Sequence, residues 1–423
     1  MALAIVIGII VFVTILIATL IIVFNGGDKG KQILNNMCAE KIIPKNEFFI
    51  GNRLDDLRVN DNYTDIELIA QNVVYRAHKL VLAAHSKYLA KKLQEYSQGL
   101  NATDLNSIFQ LEISFVDHST LSIILEFIYG KPIPLKVFEN ETDYSNLLKL
   151  SEEFQLESLK CEISRQLSKK INNRNVANLI VLAEETDTPF LMNVASKYLL
   201  DHLNDIRSTH EWKVSAKTNG HILANAIDFH GRLPANTTCN IECHPVNFQS
   251  LSTVNNLRRF FTTNYFADAD IKVVNEHEEY TFHVNKAILT SQSLKFRKQF
   301  AHSSIIQVDG VDSLVMREFL QYMYCGSIFT VSLEKYAAQL LQLSKDYGMD
   351  ILQDKSEDII IDQLSIANAT NIVEIAISVD SQRLTKAVLD FILKNRNDVS
   401  KTPGWNELKK NKPELLNKIF AQI

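Results

Sequence analysis

The segment Tyr63–Leu68 reads YTDIEL, and the segment Ala77–Ser86, which follows after a short gap, reads AHKLVLAAHS. Short runs of β-branched and apolar residues at Ile66–Ile69 and Val73–Tyr75, with polar turn residues between them, predict two strands. From Lys79 onward apolar residues recur at helical spacing, which predicts an amphipathic helix. Strands mixed with more numerous helices further along the chain favour an α+β fold with a helical extension.

The same pattern occurs a second time in the chain. Asp268–Val273 reads DADIKV, and Phe282–Ser293 reads FHVNKAILTSQS. Sliding the chain on itself by 193 residues aligns a long downstream stretch without a gap, and it places Trp212 on Trp405, the only two tryptophans. Self-similarity of this kind predicts two copies of one structural unit.

The predicted division of the chain follows from this repeat and from the composition of the segments between the copies. It comprises a transmembrane helix over 2–24, a juxtamembrane linker over 25–50, a first α+β unit over 51–160 with a helical extension over 161–217, a linker over 218–253, and a second α+β unit over 254–355 with an extension over 356–423.

Size and charge limit the classes of function. The chain has 423 residues, of which 46% are hydrophobic, so it can bury more than one packed core. It carries 44 Lys and Arg against 49 Asp and Glu, a net charge of -5. Because no basic stripe alternates with aromatic residues, we expect no nucleic-acid partner.

The amino-terminal segment Ala2–Phe24 contains no charged residue and is long enough, as a helix, to cross a bilayer. A cleavable signal peptide is the alternative, but that would have a basic region first and a shorter apolar core. Lys29 and Lys31 follow the span, which predicts a single-pass membrane protein whose units face the cytoplasm. The five cysteines are odd in number and mostly far apart, which favours reduced thiols.

The repeated segments resemble the opening of a BTB/POZ domain, and Phe127–Gly130 and Tyr322–Gly326 are similar to the family's helix-ending segment. The carboxy-terminal copy is similar to the BTB domain and shortened BACK region of speckle-type POZ proteins. This resemblance implies two BTB/POZ domains, each with a BACK-like helical extension. It also implies a dimerising fold that recruits protein partners, often a cullin scaffold of a ubiquitin ligase, without catalysis by the domain itself.

The resemblance also implies the residues of a dimer interface. A charged pocket would pair Asp65 with Lys79 and Asp270 with Lys286, although each Asp could instead cap a turn while each Lys is solvated. The first interface helix would carry the apolar residues of each copy, which could equally pack on their own unit. These residues are Leu54, Leu57, Leu257, Phe260 and Phe261.

Two such units in one chain can pair with each other or with a second molecule, and a tether favours the first arrangement through a high effective concentration.

One departure from the family bears on cullin binding. The second copy lacks most of the loop after the central helix, and the first keeps a longer loop, over 94–106, without the expected glutamate. We therefore expect a membrane-anchored interaction adaptor, with a structural oligomerisation scaffold without a role in ubiquitination as the alternative.

Catalytic and cofactor motifs are not found in the sequence. Gly26–Lys31 lacks the first glycine and the final Ser or Thr of a phosphate-binding loop. Cys239 and Cys243 could supply zinc ligands, but their spacing matches no strong zinc pattern. We therefore expect neither a metal, a cofactor nor an enzymatic activity.

Overall fold

The computed structural model describes residues 50–99, 108–113, 116–232, 251–276, 278–411, 413–414 and 416. Within them two α+β units follow each other along the chain, and each continues into a group of helices. The predicted α+β class of the two units is therefore confirmed.

The first unit contains a three-stranded sheet with helices packed around it. Strands β1 and β2 are antiparallel, whereas β1 and β3 are parallel, which gives the order β2-β1-β3. Side chains of β1 alternate between buried and half-buried, as expected for a strand with one face on the core. The elements are α1 (Ile50–Val59), β1 (Ile66–Ala70), β2 (Val73–Ala77), α2 (Lys79–His85), α3 (Lys87–Gly99), β3 (Phe109–Glu112), α4 (His118–Ile128), a 3-10 helix (Leu135–Glu139), α5 (Glu141–Glu153) and α6 (Glu157–Ser168).

The first extension is entirely helical. It comprises α7 (Val176–Glu185), α8 (Pro189–Asp201), α9 (Leu203–Ile206), α10 (His210–Thr218) and α11 (Gly220–Arg232). Helix α11 occupies the first part of the segment that was predicted to be a linker. Its buried side chains Ile222, Leu223 and Ala226 pack it onto α7 and α8. Gly220 and Gly231 favoured a linker in the sequence, whereas the contacts of α11 with α7 and α8 stabilise a helix.

The second unit repeats the first, with the sheet order β5-β4-β6. Its long helix α15 (Ser313–Cys325) ends on Gly326, whose φ of 65° is the left-handed conformation that glycine adopts without strain. The elements are α12 (Leu251–Thr263), β4 (Ala269–Val274), β5 (Glu279–Val284), α13 (Lys286–Gln292), α14 (Leu294–Phe300), β6 (Ile305–Asp309), α15 (Ser313–Cys325), α16 (Thr330–Tyr347) and α17 (Asp350–Asp362). The second extension comprises α18 (Ala369–Ser378), α19 (Gln382–Lys394), α20 (Arg396–Val399) and α21 (Pro403–Asn411).

The prediction of a membrane-spanning helix needs correction. Its segment, 2–24, lies outside the described residues, and none of the helices in the described part is both long and apolar enough to cross a bilayer. The transmembrane helix is therefore removed from the fold class, and the predicted single-pass membrane location facing the cytoplasm is not supported.

The cysteines also differ from the expectation of reduced thiols. Cys325 is a buried free thiol. Cys161, in contrast, is disulfide-bonded.

Candidate interface between the two units

The two units contact each other through two pairs of helices. Helix α1 of the first unit packs against α13 of the second, and α12 of the second unit packs against α2 of the first. We call these two contacts together the seam. One continuous cluster of buried apolar side chains runs through both units, from Leu54 to Leu352. The seam is therefore part of the core rather than a surface contact.

A hydrogen bond fixes one half of the seam. The Asn256 side chain on α12 donates from Nδ2 to the backbone oxygen of Ala84 on α2, over 2.9 Å. The accepting carbonyl belongs to the last turn of a seven-residue helix, where backbone oxygens lack partners within the helix. Asn256 thus satisfies an acceptor that would otherwise be buried without a hydrogen bond.

The apolar residues predicted for the interface helices are all buried. Leu54, Leu57 and Leu257 are almost fully inaccessible, and Phe260 and Phe261 are less than a tenth exposed. Phe261 packs within its own unit, with its ring centroid 5.0 Å from that of Tyr324. Phe260 does so too, with its ring stacked on that of Tyr265 and 5.4 Å between the centroids. The predicted set thus includes two residues that support their own unit, and the interface roles of the others stay a prediction.

The charged pair of the first unit has the predicted partners but a different geometry. The Asp65 carboxylate accepts a hydrogen bond from the backbone N–H of Lys79 over 2.6 Å, at the start of α2. Burial raises the pKa of Asp65 to about 6, against the opposing effect of Lys79, and the nearby Asp268 carboxylate raises it further. A carboxylate from each unit therefore lies close to the seam, and they repel each other.

In the second unit the structure places Asp268, not Asp270, in the pocket with Lys286. Asp268 accepts from the backbone N–H of Lys286 over 2.7 Å, as Asp65 does from Lys79. Asp270 lies on β4, and its carboxylate is 2.7 Å from the His283 ring on β5. The sequence DADIKV contains two aspartates two residues apart, and in an extended chain such residues point to the same side. The alignment of the two copies by sequence placed Asp65 on the second aspartate, Asp270, and was therefore shifted by two residues.

Comparison with protein families agrees with this architecture. The family model described as BTB/POZ domain matches residues 54–171 and again 257–364, together more than half of the chain. This chain belongs to the BTB/POZ family. The two α+β units are accordingly its BTB units.

Similar proteins share part of their length with this chain. It is 28% identical to the mouse TD and POZ domain-containing protein 4 over 175 residues, which are 40% of this chain and 46% of that protein. It is 26% identical to the Caenorhabditis elegans protein maternal effect lethal 26 over 196 residues, 44% and 48% of the two chains. The chain thus spans about half the length of these curated relatives.

Two solved BTB domains match part of this chain. The BTB domain of zebrafish PATZ1 is 23% identical, with a TM-score of 0.23, and the match covers 29% of this chain and 89% of that one. The BTB domain of human gigaxonin is 20% identical, with a TM-score of 0.24, over 29% and 92%.

A buried hydrogen-bond network beside the seam was not found from the sequence. In the first BTB unit the Tyr129 hydroxyl accepts from the backbone N–H of His78 over 2.9 Å and lies 2.8 Å from its ring Nδ1. The other ring nitrogen, Nε2, is 3.1 Å from the backbone oxygen of Asn62. These partners suit a neutral ring that donates from Nε2, and burial lowers the pKa of His78 to about 4. The signal in the sequence was the Tyr129 and Tyr324 pair of the repeat.

In the second BTB unit Asn285 takes the place of His78. Tyr324 accepts from the backbone N–H of Asn285 over 2.7 Å and donates to its side-chain oxygen over 2.8 Å, while the Asn285 amide donates to the backbone oxygen of Phe266. We therefore expect His78→Asn to keep the fold stable to within about 1 kcal/mol at pH 7. His78→Ala should lose roughly 1–3 kcal/mol, because the Tyr129 O–H loses its acceptor on the ring and the Asn62 carbonyl loses its donor. Urea unfolding of the three proteins measures this. Equal losses in both variants would contradict the network.

The described residues contain no group of His, Cys, Asp and Glu that could hold a metal ion. Cys239 and Cys243 lie outside them.

Proposed function

We propose that the chain is a protein-interaction adaptor in which two BTB units pair within one polypeptide and hold two helical extensions at fixed positions. The observation that supports it best is the seam, in which each unit contributes a first helix to the other. BTB/POZ proteins generally act by binding other proteins. Because the pair forms within one chain, the two units would stay assembled at any concentration of the protein.

The two extensions would present different surfaces to partners. The first ends in α11, which packs on α7 and α8. Beside α11 lies a cavity of about 330 Å³ with Glu184, Asp187 and Asp228 in its wall. The corresponding cavity of the second extension, about 490 Å³, carries Lys386 beside Asp380 and Asp390. One chain could therefore bring together two unlike partners.

The finer proposal is that the first BTB unit recruits a cullin scaffold. It is supported by the resemblance to cullin-recruiting members and by the difference between the two loops after the central helix. In the second unit α14 ends at Phe300 and β6 begins at Ile305, which leaves a short connection. In the first unit α3 ends at Gly99 and β3 begins at Phe109, with residues 100–107 between them outside the described part.

Calorimetric titration of the full chain with a purified cullin amino-terminal domain tests this proposal. We expect one-to-one binding with a dissociation constant of about 10 µM or tighter. That binding should be lost when residues 100–104 are deleted, which leaves a connection of four residues, as in the second unit. No binding up to roughly 100 µM, beside a family member that does bind, would leave less than about 6 kcal/mol of affinity and favour the structural scaffold. Binding that survives the deletion would place the contact elsewhere.

A further inference from the structure

The short helix α14 of the second BTB unit has one buried and one exposed side. Phe296 and Phe300 bury the first of these sides in the core of the unit. The opposite side, which we call the basic face, is exposed and comprises Leu294, Lys295, Arg297 and Lys298. With 3.6 residues per turn, these four positions occupy the half of the helix that is turned away from the two rings. Three cations and one apolar side chain thus share a small surface.

Two of the three cations are held in place by contacts within the unit. The Nζ atom of Lys295 lies 4.3 Å from the ring centroid of Tyr347, which is buried. The Arg297 guanidinium donates from Nε and Nη2 to the backbone oxygen of Thr290, over 3.3 and 3.1 Å. A cation that is already positioned loses less side-chain freedom when it binds a carboxylate. The basic face is therefore better prepared for a partner than a set of freely rotating surface lysines.

In the described part of the chain, no acidic side chain forms an ion pair with the basic face. Helix α14 itself contains no Asp or Glu. The carboxylate of Asp346, the residue before Tyr347, accepts a hydrogen bond from the Gln342 side chain over 3.0 Å. The three positive charges are therefore available to a partner, although the chain as a whole has a net charge of -5.

The equivalent helix of the first BTB unit, α3, is partly neutralised by its own sequence. Ser86 and Ser293 directly precede the two helices and are equivalent, because each donates to a backbone oxygen over 2.7 Å. The same alignment places Glu95 of the first unit where the second has His302. The Glu95 carboxylate lies 3.9 Å from the Nζ atom of Lys91 on the same helix. A face without a carboxylate of its own is thus a property of the second unit.

The chemistry of the basic face favours an acidic protein segment over other anions. Carboxylates pair with both Lys and Arg, and a planar guanidinium such as that of Arg297 suits them in particular. Leu294 is 69% exposed among the cations, and an apolar side chain of the partner would remove it from water. The four residues of the face include no aromatic ring on which a base could stack. The negative net charge of the chain also opposes large polyanions, such as nucleic acids and anionic membranes.

We propose that the basic face docks a short acidic segment of a partner protein, in which carboxylates flank an apolar residue. This surface lies on the second BTB unit and does not require the pairing of the two units. The proposed cullin contact lies on the first unit, so either proposal can fail without the other. The two units would then bind partners of different chemistry.

Fluorescence anisotropy of the full chain with a labelled peptide tests this docking. The probe is a short tandem repeat of Glu-Leu-Glu-Glu, and the comparison peptide is the same repeat with Gln in place of Glu. We expect the acidic probe to bind with a dissociation constant of about 100 µM or tighter at low salt, and the neutral peptide to bind at least about tenfold more weakly. Added salt should weaken the acidic probe, because it screens charges at an exposed surface.

Three substitutions at exposed positions locate the contact. Lys298→Glu reverses one charge of the basic face and should weaken the acidic probe about tenfold. Lys91→Glu makes the same change of net charge at the equivalent position of α3, so it is the matched control and should weaken the probe less than about twofold. Leu294→Ser leaves the charge unchanged and should weaken the probe several-fold by removing the apolar contact. Because all three side chains are exposed, the variants should keep the fold.

Other outcomes would overturn the docking site. Equal weakening by Lys298→Glu and Lys91→Glu would mean that the probe responds only to net charge. Binding of oligothymidylate, or of vesicles that contain phosphatidylserine, as tightly as the acidic probe would mean that the face recognises polyanions in general. Failure of the acidic probe to bind up to roughly 1 mM would leave less than about 4 kcal/mol of affinity and would also refute the site.

Discussion

Replacing Asp65 by Asn should make the protein more stable at pH 7, by roughly 1–3 kcal/mol. Burial raises the pKa of Asp65 to about 6, whereas an unfolded chain has the ordinary value of 3.8. The folded state therefore binds this proton more tightly, and the ionised carboxylate opposes folding at neutral pH. Asn keeps an oxygen that can accept from the Lys79 N–H, and it removes the repulsion from Asp268.

The sign of the pH dependence follows from the same pKa. A raised carboxyl pKa favours the folded state fully below about pH 4, and this contribution is lost as the pH rises through 6. His78 and His85 act in the opposite direction, since burial lowers both pKa values to about 4 and acid therefore favours their unfolded forms. The difference between the wild type and Asp65→Asn isolates the carboxyl group. It should grow between pH 4 and 7.

Urea unfolding at pH 4, 5, 6 and 7 measures that difference. Asp270→Asn is the matched control, because its carboxylate is a third exposed and lies on β4 beside His283. The control should change the unfolding free energy by no more than about 0.5 kcal/mol. A loss of stability in Asp65→Asn at pH 7 would show that the charge-assisted bond to Lys79 outweighs the cost of burial.

Most of the fold that could be predicted came from the internal repeat of the sequence. The two strand–turn–helix segments and the 193-residue offset determine two similar units with helical extensions, because the elements recur at matched spacing. The choice between Asp268 and Asp270 could not be made in the same way. Asp268 immediately precedes β4 and Asp270 lies on it, and only the bond from the Lys286 N–H distinguishes them.

Features that depend on contacts between distant elements were beyond the sequence. Helix α11 is stabilised by its packing on α7 and α8. The sequence does not show this packing, and the residues after Gly220 were therefore predicted to be a linker. The contact of α12 with α2 is of the same kind, because it joins residues such as Asn256 and Ala84 that are far apart in the sequence. Sequence periodicity shows which face of a helix is apolar and not which helix covers it.

Leu57→Asp should open the seam and cost roughly 4 kcal/mol or more. Leu57 is 4% exposed on α1, the helix that packs on α13 of the other BTB unit. The substitution removes a buried apolar side chain, which alone costs about 2–5 kcal/mol for a truncation of this size. It also places a carboxylate among buried apolar side chains, where an ion is strongly destabilised unless the helices separate and water reaches it.

Val59→Asp is the control for this prediction, because Val59 is 64% exposed and lies two residues further along the same helix. Hydrogen–deuterium exchange should report faster exchange over α1 and α13 in Leu57→Asp and little change in Val59→Asp, since a surface substitution leaves the packing intact. Acceleration confined to α1 would mean that the first helix detaches alone while the remaining half of the seam, α12 on α2, holds the units together. Equal exchange in the two variants would mean that Leu57 supports only its own unit, and the seam would then depend on α12.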